Sequence, residues 1–304
     1  MFEEKFSENM PSFDEDKEKE ISPEKGKNVY ICLKFIRHGE RTPEGKLTDY
    51  GREITRKKAK ESGIRPEEFD AVKAIGSPAG PEGPEGLQRA LETADIFAEE
   101  VGGAKKFKTR KREILSYETL KVEEPYNHKE IYNANLPENF EQLSDEEKTE
   151  ASKKAQAVAV NHLFSLKTPE AAAYIEETAG AFASVVSTYQ EMSSRLKSNS
   201  KVLMVGGTHG PSIECFLREA LIRKIEDGGE IRGFENIDEI GGPIDPSESI
   251  SIDIKRDQEG NLLRLDVKFD NPERPNFPEM YFDPGKLVEL KKYYDELHQE
   301  KEQS

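Results

Sequence analysis

The first of two histidines that could do chemistry stands in Arg37-His38-Gly39-Glu40-Arg41, directly after the apolar run VYICLKFI. A lone histidine at the end of such a run is ordinarily a core residue. Two arginines in the same turn change that expectation, because guanidinium groups cannot be buried without an anionic partner. Their planar forks bind phosphate or carboxylate oxygens by paired hydrogen bonds. The cluster therefore predicts a site for an anion.

The second histidine, His209, follows the apolar run KVLMVGG and Thr208, just before a helix that the sequence predicts to begin near Pro211. Backbone N–H groups at a helix N-terminus and the helix dipole both favour negative charge at such a position. A third group is Arg89, which taken alone would be a solvated arginine on a helix. The combination of these groups predicts one shared anion site.

Both histidines must be held by strands that end at one edge of a sheet. Three apolar or β-branched runs predict buried strands, and each is followed by a helical pattern. The runs cover residues 28–37, 71–78 and 201–207, and the helices cover residues 48–63, 84–101 and 211–224. Strands that alternate with helices predict parallel βαβ units, and open sheets of this kind bind ligands at the carboxyl ends of their strands. The sequence therefore predicts an α/β fold with both histidines at that edge.

The rest of the chain divides into a tail, an insertion and a C-terminal region. Residues 1–27 mix both charges with few large apolar side chains, which predicts a disordered charged tail. A single folded domain is expected over 28–304, with a helical insertion, or cap, over about 112–198. Two alternating runs joined by DQEGN predict a β-hairpin at a sheet edge within about 245–304, followed by a terminal helix.

Composition and charge exclude several classes of protein. Among 304 residues, 61 Asp and Glu outnumber 45 Lys and Arg, and the formal charge is −16. Such a polyanion repels phosphate backbones, which argues against nucleic-acid binding. The apolar runs are far shorter than the ~18 residues of a spanning helix, and the N-terminal residues lack the apolar core of a secretory signal. We therefore expect a cytoplasmic protein that binds no membrane, with Cys32 and Cys215 packed in its core.

The pattern as a whole resembles the histidine phosphatase superfamily, whose fold is also called phosphoglycerate-mutase-like. Four motifs over about residues 28–220 carry the resemblance, and they match Arg37, His38, Gly39, then Leu47, Thr48, Gly51, then Ser77, Pro78, Arg89, Ala90, Thr93, Ala94, and finally Thr208, His209, Gly210. The resemblance implies a three-layer α/β/α sandwich with a mostly parallel central sheet. No spacing of His, Cys, Asp and Glu resembles a metal site, so neither a metal nor another cofactor is expected.

Three features depart from the family pattern. The segment AGPEGPEGLQ at 79–88 is longer than the usual spacer, and its Gly and Pro content predicts a mobile loop above the pocket. Glu92 stands where the family usually has Gln. The form RHGxRxP at 37–43 is typical of a secreted branch that follows its second histidine with Asp, but Gly210 stands there instead. The chain is therefore assigned to the larger intracellular branch.

The resemblance also implies a role for each matched residue. His38 would be the nucleophile that becomes phosphohistidine and is then hydrolysed, since a largely neutral imidazole offers a free ring nitrogen at pH 7. Gly39 would let its backbone approach the ligand closely. The phosphate oxygens would be bound by four further side chains: Arg37, Arg41, Arg89 and His209.

In this family the proton donor to the leaving group is a carboxylic acid that follows a leucine in the segment after the third strand, here 112–132. The candidates are Glu123, then Glu124, with Glu118 and Glu130 as alternatives. His128 lies in the same segment and could contact substrate, whereas His162 and His298 are expected to be surface or core residues.

Three functions are compatible with this resemblance. The leading hypothesis is a phosphomonoesterase that hydrolyses a small, soluble phosphate ester through phosphohistidine. A phosphoglycerate-type mutase would share that intermediate but protect it from water, and a catalytically silent protein would only bind phosphoanions on the same fold. A small-molecule phosphate is the expected partner in each case, and the sequence indicates no oligomeric state.

Overall fold

The computed structural model describes residues 24–84 and 86–299, and within them the chain contains nine strands and seven α-helices. The strands are β1 (Tyr30–Arg37), β2 (Ala71–Gly76), β3 (Lys106–Lys111), β4 (Lys201–Thr208), β5 (Leu221–Lys224), β6 (Glu230–Arg232), β7 (Ser249–Lys255), β8 (Asp266–Phe269) and β9 (Met280–Phe282). The α-helices are α1 (Asp49–Glu61), α2 (Arg89–Gly102), α3 (His128–Ala134), α4 (Asp145–Ser165), α5 (Pro169–Ser193), α6 (Ser212–Ala220) and α7 (Pro284–Gln299). Most of the tail expected at 1–27 lies outside the described residues, while Lys25 pairs with Lys197 in an isolated β-bridge.

All nine strands join one sheet in the order β3-β2-β4-β1-β7-β8-β9-β5-β6. The first four strands in this order are parallel to one another, and each later strand is antiparallel to the one before it. Successive antiparallel pairings alternate the strand direction, so β8 and β5 again run in the direction of β1. Six of the nine strands therefore share one direction. The predicted α/β fold with a mostly parallel central sheet is confirmed.

Apart from the buried Lys34, the interior of the first strand is apolar on both faces, because helices cover both sides of the sheet where it lies. Its side chains alternate between the two cores, as the two-residue period of a strand requires. Leu33 and Phe35 pack toward α5 and α6, whereas Cys32 and Ile36 pack toward α2. On the first side, the ring centroid of Phe182 from α5 lies 4.7 Å from that of Phe35.

The helices form the outer layers of the predicted sandwich. On one side α1 packs on α2, and α2 packs on β2 and β4. On the other side α5 packs on β1, on α6 and on α7. Both cysteines are free, buried thiols in these cores, Cys32 on the α2 side and Cys215 on the α5 side.

The stretch predicted as a helical insertion contains α3, α4 and α5, of which α5 also belongs to the outer layer that packs on β1. Ser144 and Glu147 form a capping box at the start of α4. Thr168 caps α5 by accepting a hydrogen bond from the backbone N–H of Ala171, and Pro169 occupies the first helical position, where no N–H is needed. Both helices therefore begin where the sequence has strong signals.

Two expectations for the C-terminal half are wrong. The predicted hairpin, β7 and β8, lies inside the sheet rather than at its edge, because β7 also pairs with β1 and β8 also pairs with β9. The short strands β5, β6 and β9 extend the sheet beyond it. The helix expected over 211–224 ends at Ala220, since residues 221–224 are extended and pair with β9 as β5. Pairing with a distant segment overrides the helical pattern there.

The membrane criterion can be applied to every helix described. Over residues 24–84 and 86–299, none is both long enough and apolar enough to cross a bilayer.

Candidate active site

The two histidines meet at the carboxyl ends of β1 and β4. These strands are parallel neighbours whose register places Arg37 beside Thr208, so His38 and His209 leave the sheet side by side. The centroids of the two imidazole rings lie 5.2 Å apart, at an interplanar angle of 62°. The two residues are only 8% and 3% exposed. The structure thus brings together the residues that the sequence placed at two strand ends.

Hydrogen bonds determine which nitrogen of His38 is free. Its Nδ1 lies 2.7 Å from the carbonyl oxygen of Gly39, which can only accept, so Nδ1 carries the hydrogen and Nε2 keeps its lone pair. The backbone N–H of His38 donates to the carbonyl of Thr208 at 2.9 Å. Burial, followed by the neighbouring His209 and Arg89, lowers the pKa of His38 well below its ordinary value. The ring is therefore neutral at pH 7.

His209 is held between a hydroxyl group and a guanidinium group. Its Nε2 lies 2.9 Å from Ser77 Oγ, and its Nδ1 lies 3.4 Å from Arg89 Nη2. Because a guanidinium can only donate, Nδ1 is the acceptor and Nε2 donates to Ser77. Burial, followed by the charges of Arg89 and Arg37, lowers the pKa of His209 well below its ordinary value. Both imidazoles of the pair are thus neutral.

Arg37 and Arg89 flank the histidines and keep donors free. Arg37 Nη1 donates to the carbonyl of Ile244 at 2.6 Å, and Arg89 Nη1 donates to the carbonyl of Gly45 at 3.3 Å. The Nε atoms of both arginines are buried without a hydrogen-bond partner among the described residues. Since nearly all buried polar groups in proteins are paired, these donors indicate a place for acceptor atoms of a ligand.

Arg41 lies at the open side of this cluster. Although the residue is exposed, the walls of the cleft and the charge of Arg89 lower the pKa of its guanidinium, and Arg37 acts in the same direction. Three cations close enough to affect one another repel, and an oxyanion between them would remove that repulsion. The electrostatics of the cleft therefore favour a multiply charged anion.

The long segment at 79–88 folds against Arg89. Gly80 has a φ of +86°, and a Cβ at this position would collide with Arg89 Nη1. The backbone N–H of Gly83 donates to the carbonyl of Leu87 at 2.8 Å, which turns the segment back on itself. The described part of this segment therefore forms one wall of the cleft.

Gly39 and Glu92 serve contacts inside the protein. The N–H of Gly39 donates to Thr93 Oγ1 at 3.0 Å, and a Cβ at Gly39 would lie 2.8 Å from Leu47 Cδ1. The close approach that the glycine allows is thus to the protein's own side chains. Glu92, which stands in place of Gln, accepts a hydrogen bond from Arg52 Nε at 2.7 Å and joins α2 to α1.

Among the four candidate acids, Glu118 has contacts that reach the cleft. Its Oε1 accepts a hydrogen bond from the backbone N–H of Gly80 at 3.2 Å, beside Arg89. The ring centroid of the preceding residue, Tyr117, lies 4.9 Å from that of His209. Of the four candidate acids, Glu118 is therefore the one that the structure connects to Arg89 and His209, through Gly80 and Tyr117.

All four candidate acids are exposed, and the other three make no contact with either histidine of the pair among the described residues. Glu123 makes no hydrogen bond or ion pair among the described residues, and Glu124, whose carboxyl is partly enclosed, lies beside the start of α3. Burial of its carboxyl raises the pKa of Glu124, and a hydrogen bond from the backbone of His128 opposes that rise. Glu130 is on α3, where its Oε2 accepts a hydrogen bond from Asn127 Nδ2 at 3.2 Å.

His128, the first residue of α3, also lies near the arginines. Its Nδ1 is 2.8 Å from the hydroxyl oxygen of Tyr126. Burial, followed by the charge of Arg37, lowers the pKa of His128 to about 4, against the opposing effect of a hydrogen bond to Gln156. The cap therefore adds a third neutral imidazole close to the cluster. Of the remaining two histidines, His162 is an exposed residue of α4 whose ring centroid lies 5.7 Å from that of Tyr126, and His298 lies against Glu177.

Sequence reasoning missed two contacts of this site and ranked the acids differently. Ser77 stands in a matched motif, but nothing in the sequence shows its hydrogen bond to His209. Tyr117 carries no signal, because it lies in short turns that have no period. The family pattern places the acid shortly after a leucine. If the buried Leu115 is taken as that leucine instead of Leu120, the same spacing favours Glu118.

Comparisons with known proteins give structural matches only. No protein-family model matches the sequence, and no curated protein does. A mycobacterial glucosyl-3-phosphoglycerate phosphatase matches with 12% identity and a TM-score of 0.37, over 79% of this chain and 98% of the other. A Klebsiella phytase matches with 10% identity and a TM-score of 0.39, over 88% and 96% of the two chains. A Plasmodium falciparum phosphoglycerate mutase matches with 13% identity and a TM-score of 0.28, over 79% and 99%. At these TM-scores the matches carry no argument, so fold and function rest on the strand order and the cleft.

Proposed function

We propose that this protein is a phosphomonoesterase that transfers the phosphoryl group of a small phosphate ester to His38 and then to water. One observation carries the proposal. Two neutral, buried imidazoles lie 5.2 Å apart at the ends of adjacent parallel strands, beside two arginines whose Nε atoms lack partners among the described residues. Phosphoryl transfer requires a nucleophile and a cationic clamp, because its transition state spreads negative charge over three equatorial oxygens.

In the first step, Nε2 of His38 attacks phosphorus, and the bond from phosphorus to the ester oxygen breaks. The hydrogen on Nδ1 keeps its bond to the carbonyl of Gly39, which stabilises the positive charge that develops on the ring. Glu118 gives a proton to the departing oxygen, so that the alcohol leaves neutral. The products of this step are phosphohistidine and the free alcohol.

Binding of the anion gives His209 its part in the clamp. An oxyanion is a stronger acceptor than a neutral imidazole, so Arg89 Nη2 can turn from His209 to a phosphate oxygen. The charge of the dianion also offsets the arginine charges that lower the pKa of His209. A protonated His209 then donates a hydrogen bond to the same phosphate, alongside Arg37.

Access of water favours hydrolysis over the mutase alternative. Tyr117, whose ring contacts that of His209, is 42% exposed, and Arg41 is exposed as well. The segment at 79–88 has a single large apolar side chain, Leu87, with which to seal the cleft.

In the second step water attacks the phosphorus of phosphohistidine. The carboxylate of Glu118 takes a proton from that water, the bond from phosphorus to Nε2 breaks, and inorganic phosphate leaves with His38 restored.

The test is hydrolysis of 4-nitrophenyl phosphate and glycerol 2-phosphate by the purified full chain, with vanadate titration as a measure of anion binding. Arg89→Ala should lower kcat/KM by about 100-fold or more, since losing one preorganised donor costs ~3 kcal/mol. Arg89→Lys keeps the positive charge but loses the planar guanidinium group with its paired donors. Its kcat/KM should therefore lie between those of the wild type and Arg89→Ala. Arg65→Ala is a matched control, because Arg65 is an exposed partner of Glu68.

Three results would contradict the proposal: no hydrolysis of either ester by the wild type, normal vanadate binding by Arg89→Ala, or an equal loss in Arg65→Ala. Rapid conversion of 3-phosphoglycerate to 2-phosphoglycerate would establish the mutase instead.

A further inference from the structure

Glu177 is a fully buried carboxylate that the proposed steps do not use. It lies on α5 with an exposed fraction of 0%. Its Oε1 accepts a hydrogen bond from the backbone N–H of Lys121 at 2.7 Å, and its Oε2 accepts one from that of Val122 at 2.8 Å. Burying a charged group is costly unless hydrogen bonds compensate, so a carboxylate that binds two consecutive backbone amides holds that segment firmly.

The segment that Glu177 holds begins at the cleft. Three residues before Lys121, the carboxylate of Glu118 accepts the hydrogen bond from Gly80, and Tyr117 contacts the ring of His209. Between these points Leu120 packs against the main core. The segment is therefore fixed at 121–122 and presents its side chains to the cleft at 117–118.

The end of the terminal helix fixes Glu177 in turn. His298 Nε2 lies 2.7 Å from Oε1 of Glu177. Lys121 Nζ donates to the carbonyl of Leu297, so α7 contacts both Glu177 and Lys121, the residue whose backbone N–H binds Glu177. This contact is possible because α7 lies very close to α5: a Cβ at Gly180 would be 2.6 Å from the carbonyl oxygen of Leu290.

We propose that Glu177, oriented by His298, is a positioning residue that holds Glu118 within reach of the leaving-group oxygen. The inference rests on the proposed function, in which Glu118 is the proton donor. Proton transfer requires the acid at hydrogen-bond distance from the departing oxygen, and a displacement of about 1 Å can cost ~100-fold in rate. The terminal helix, although it contributes no group to the cleft, thereby determines how well the acid works.

Glu177→Gln is the direct test. The amide oxygen can keep one of the two backbone hydrogen bonds, but the amide N–H₂ then faces the other backbone donor. We expect kcat for glycerol 2-phosphate to fall by about 10-fold to 100-fold, with a much smaller change for 4-nitrophenyl phosphate, whose phenolate needs no acid. Vanadate affinity should stay at the wild-type value, because Arg37 and Arg89 are untouched.

A double variant shows whether Glu177 acts through Glu118. If it does, adding Glu177→Gln to Glu118→Gln should cause no further loss, since coupled residues are not additive. Equal losses on both esters, weaker vanadate binding or additive losses would overturn the inference.

His298 supplies a milder second test in case Glu177→Gln does not fold. His298→Ala should show the same selective loss at smaller size, and His298→Gln, which keeps an N–H donor, should restore activity. If His298→Ala turns over glycerol 2-phosphate at the wild-type rate, the role assigned to the terminal helix is overturned. If Glu118→Gln is not selective for the alkyl ester, the role of Glu118 fails and this inference with it. If Glu118→Gln is selective and Glu177→Gln is not, the inference alone fails.

Discussion

His38 can act as a nucleophile only while its Nε2 keeps a lone pair, and two features of its surroundings secure that state. The carbonyl of Gly39 takes the hydrogen of Nδ1 at 2.7 Å. Burial and the cations around it lower the pKa of His38 well below the value of about 6.5 that a histidine has in water. The ring therefore stays unprotonated in mildly acidic solution, where an exposed histidine would be charged.

Esters with different leaving groups distinguish whether Glu118 or Glu123 is the proton donor. A general acid matters for an alkyl phosphate, whose alkoxide leaves poorly, and matters little for an aryl phosphate. We expect Glu118→Gln to lower kcat for glycerol 2-phosphate by about 100-fold or more, while 4-nitrophenyl phosphate is far less affected. Glu123→Gln makes the same chemical change at a carboxylate that has no contact with the cleft in the described structure, and should keep both activities. Steady-state kinetics of the two variants decide, and the reverse pattern would return the role to Glu123.

At the scale of elements, the strands that carry the histidines were predictable because their signals are local. An apolar run that stops at a histidine, as at His38 and His209, marks a buried strand end. The short strands β5, β6 and β9 could not be predicted, because three or four residues carry no period and pairing with distant residues decides their state. For the same reason the turns before α3 did not reveal that Glu118 reaches the cleft.

Packing of α2 on β4 places Arg89, the first residue of that helix, at the site. A Cβ at Gly207 would collide with the carbonyl oxygen of Ala90. Gly207→Ala should therefore destabilise the protein by about 1–3 kcal/mol and weaken vanadate binding, because overpacking displaces the start of α2. Gly206→Ala is the matched control on the opposite face, where the nearest atom to the new Cβ would be Phe35 Cδ1 at 3.0 Å and the nearest backbone atom the carbonyl oxygen of Lys34 at 3.4 Å.

The smaller clash at Gly206 can be relieved by a shift of the Phe35 ring, so vanadate binding should persist in that variant. Urea unfolding and vanadate titration measure the two effects. Equal losses in both variants would contradict the account of how Arg89 is placed.

At the scale of the whole molecule, stability must fall in acid because three histidines are held neutral. Burial lowers the pKa values of His38, His209 and His128, the last to about 4. In the unfolded chain a histidine titrates near 6.5, so below that pH the unfolded state binds more protons than the folded state. The free energy of unfolding should therefore decrease as pH falls below about 6.5, and this contribution should vanish above it.

Replacing one of these imidazoles should flatten that decrease. Between pH 6.5 and pH 4, His128→Gln should lose less stability than the wild type, because its folded and unfolded states no longer differ at this position. Tyr126→Phe removes the same 2.8 Å hydrogen bond but keeps the imidazole, so it should retain the wild-type dependence on pH. Urea unfolding at several pH values provides the comparison. A His128→Gln curve parallel to that of the wild type would show that this histidine is not held neutral by the fold.

The most direct test of the account is the position of the phosphoryl group on the intact protein during turnover. The full chain is mixed with phosphorus-labelled 4-nitrophenyl phosphate, quenched rapidly in base and digested, and the labelled peptide is identified by mass spectrometry. We predict a base-stable, acid-labile adduct on His38, absent from His38→Ala and still mapped to His38 in the slower His209→Ala. An adduct that persists in His38→Ala, or that maps to another residue of the wild type, would contradict His38 as the nucleophile.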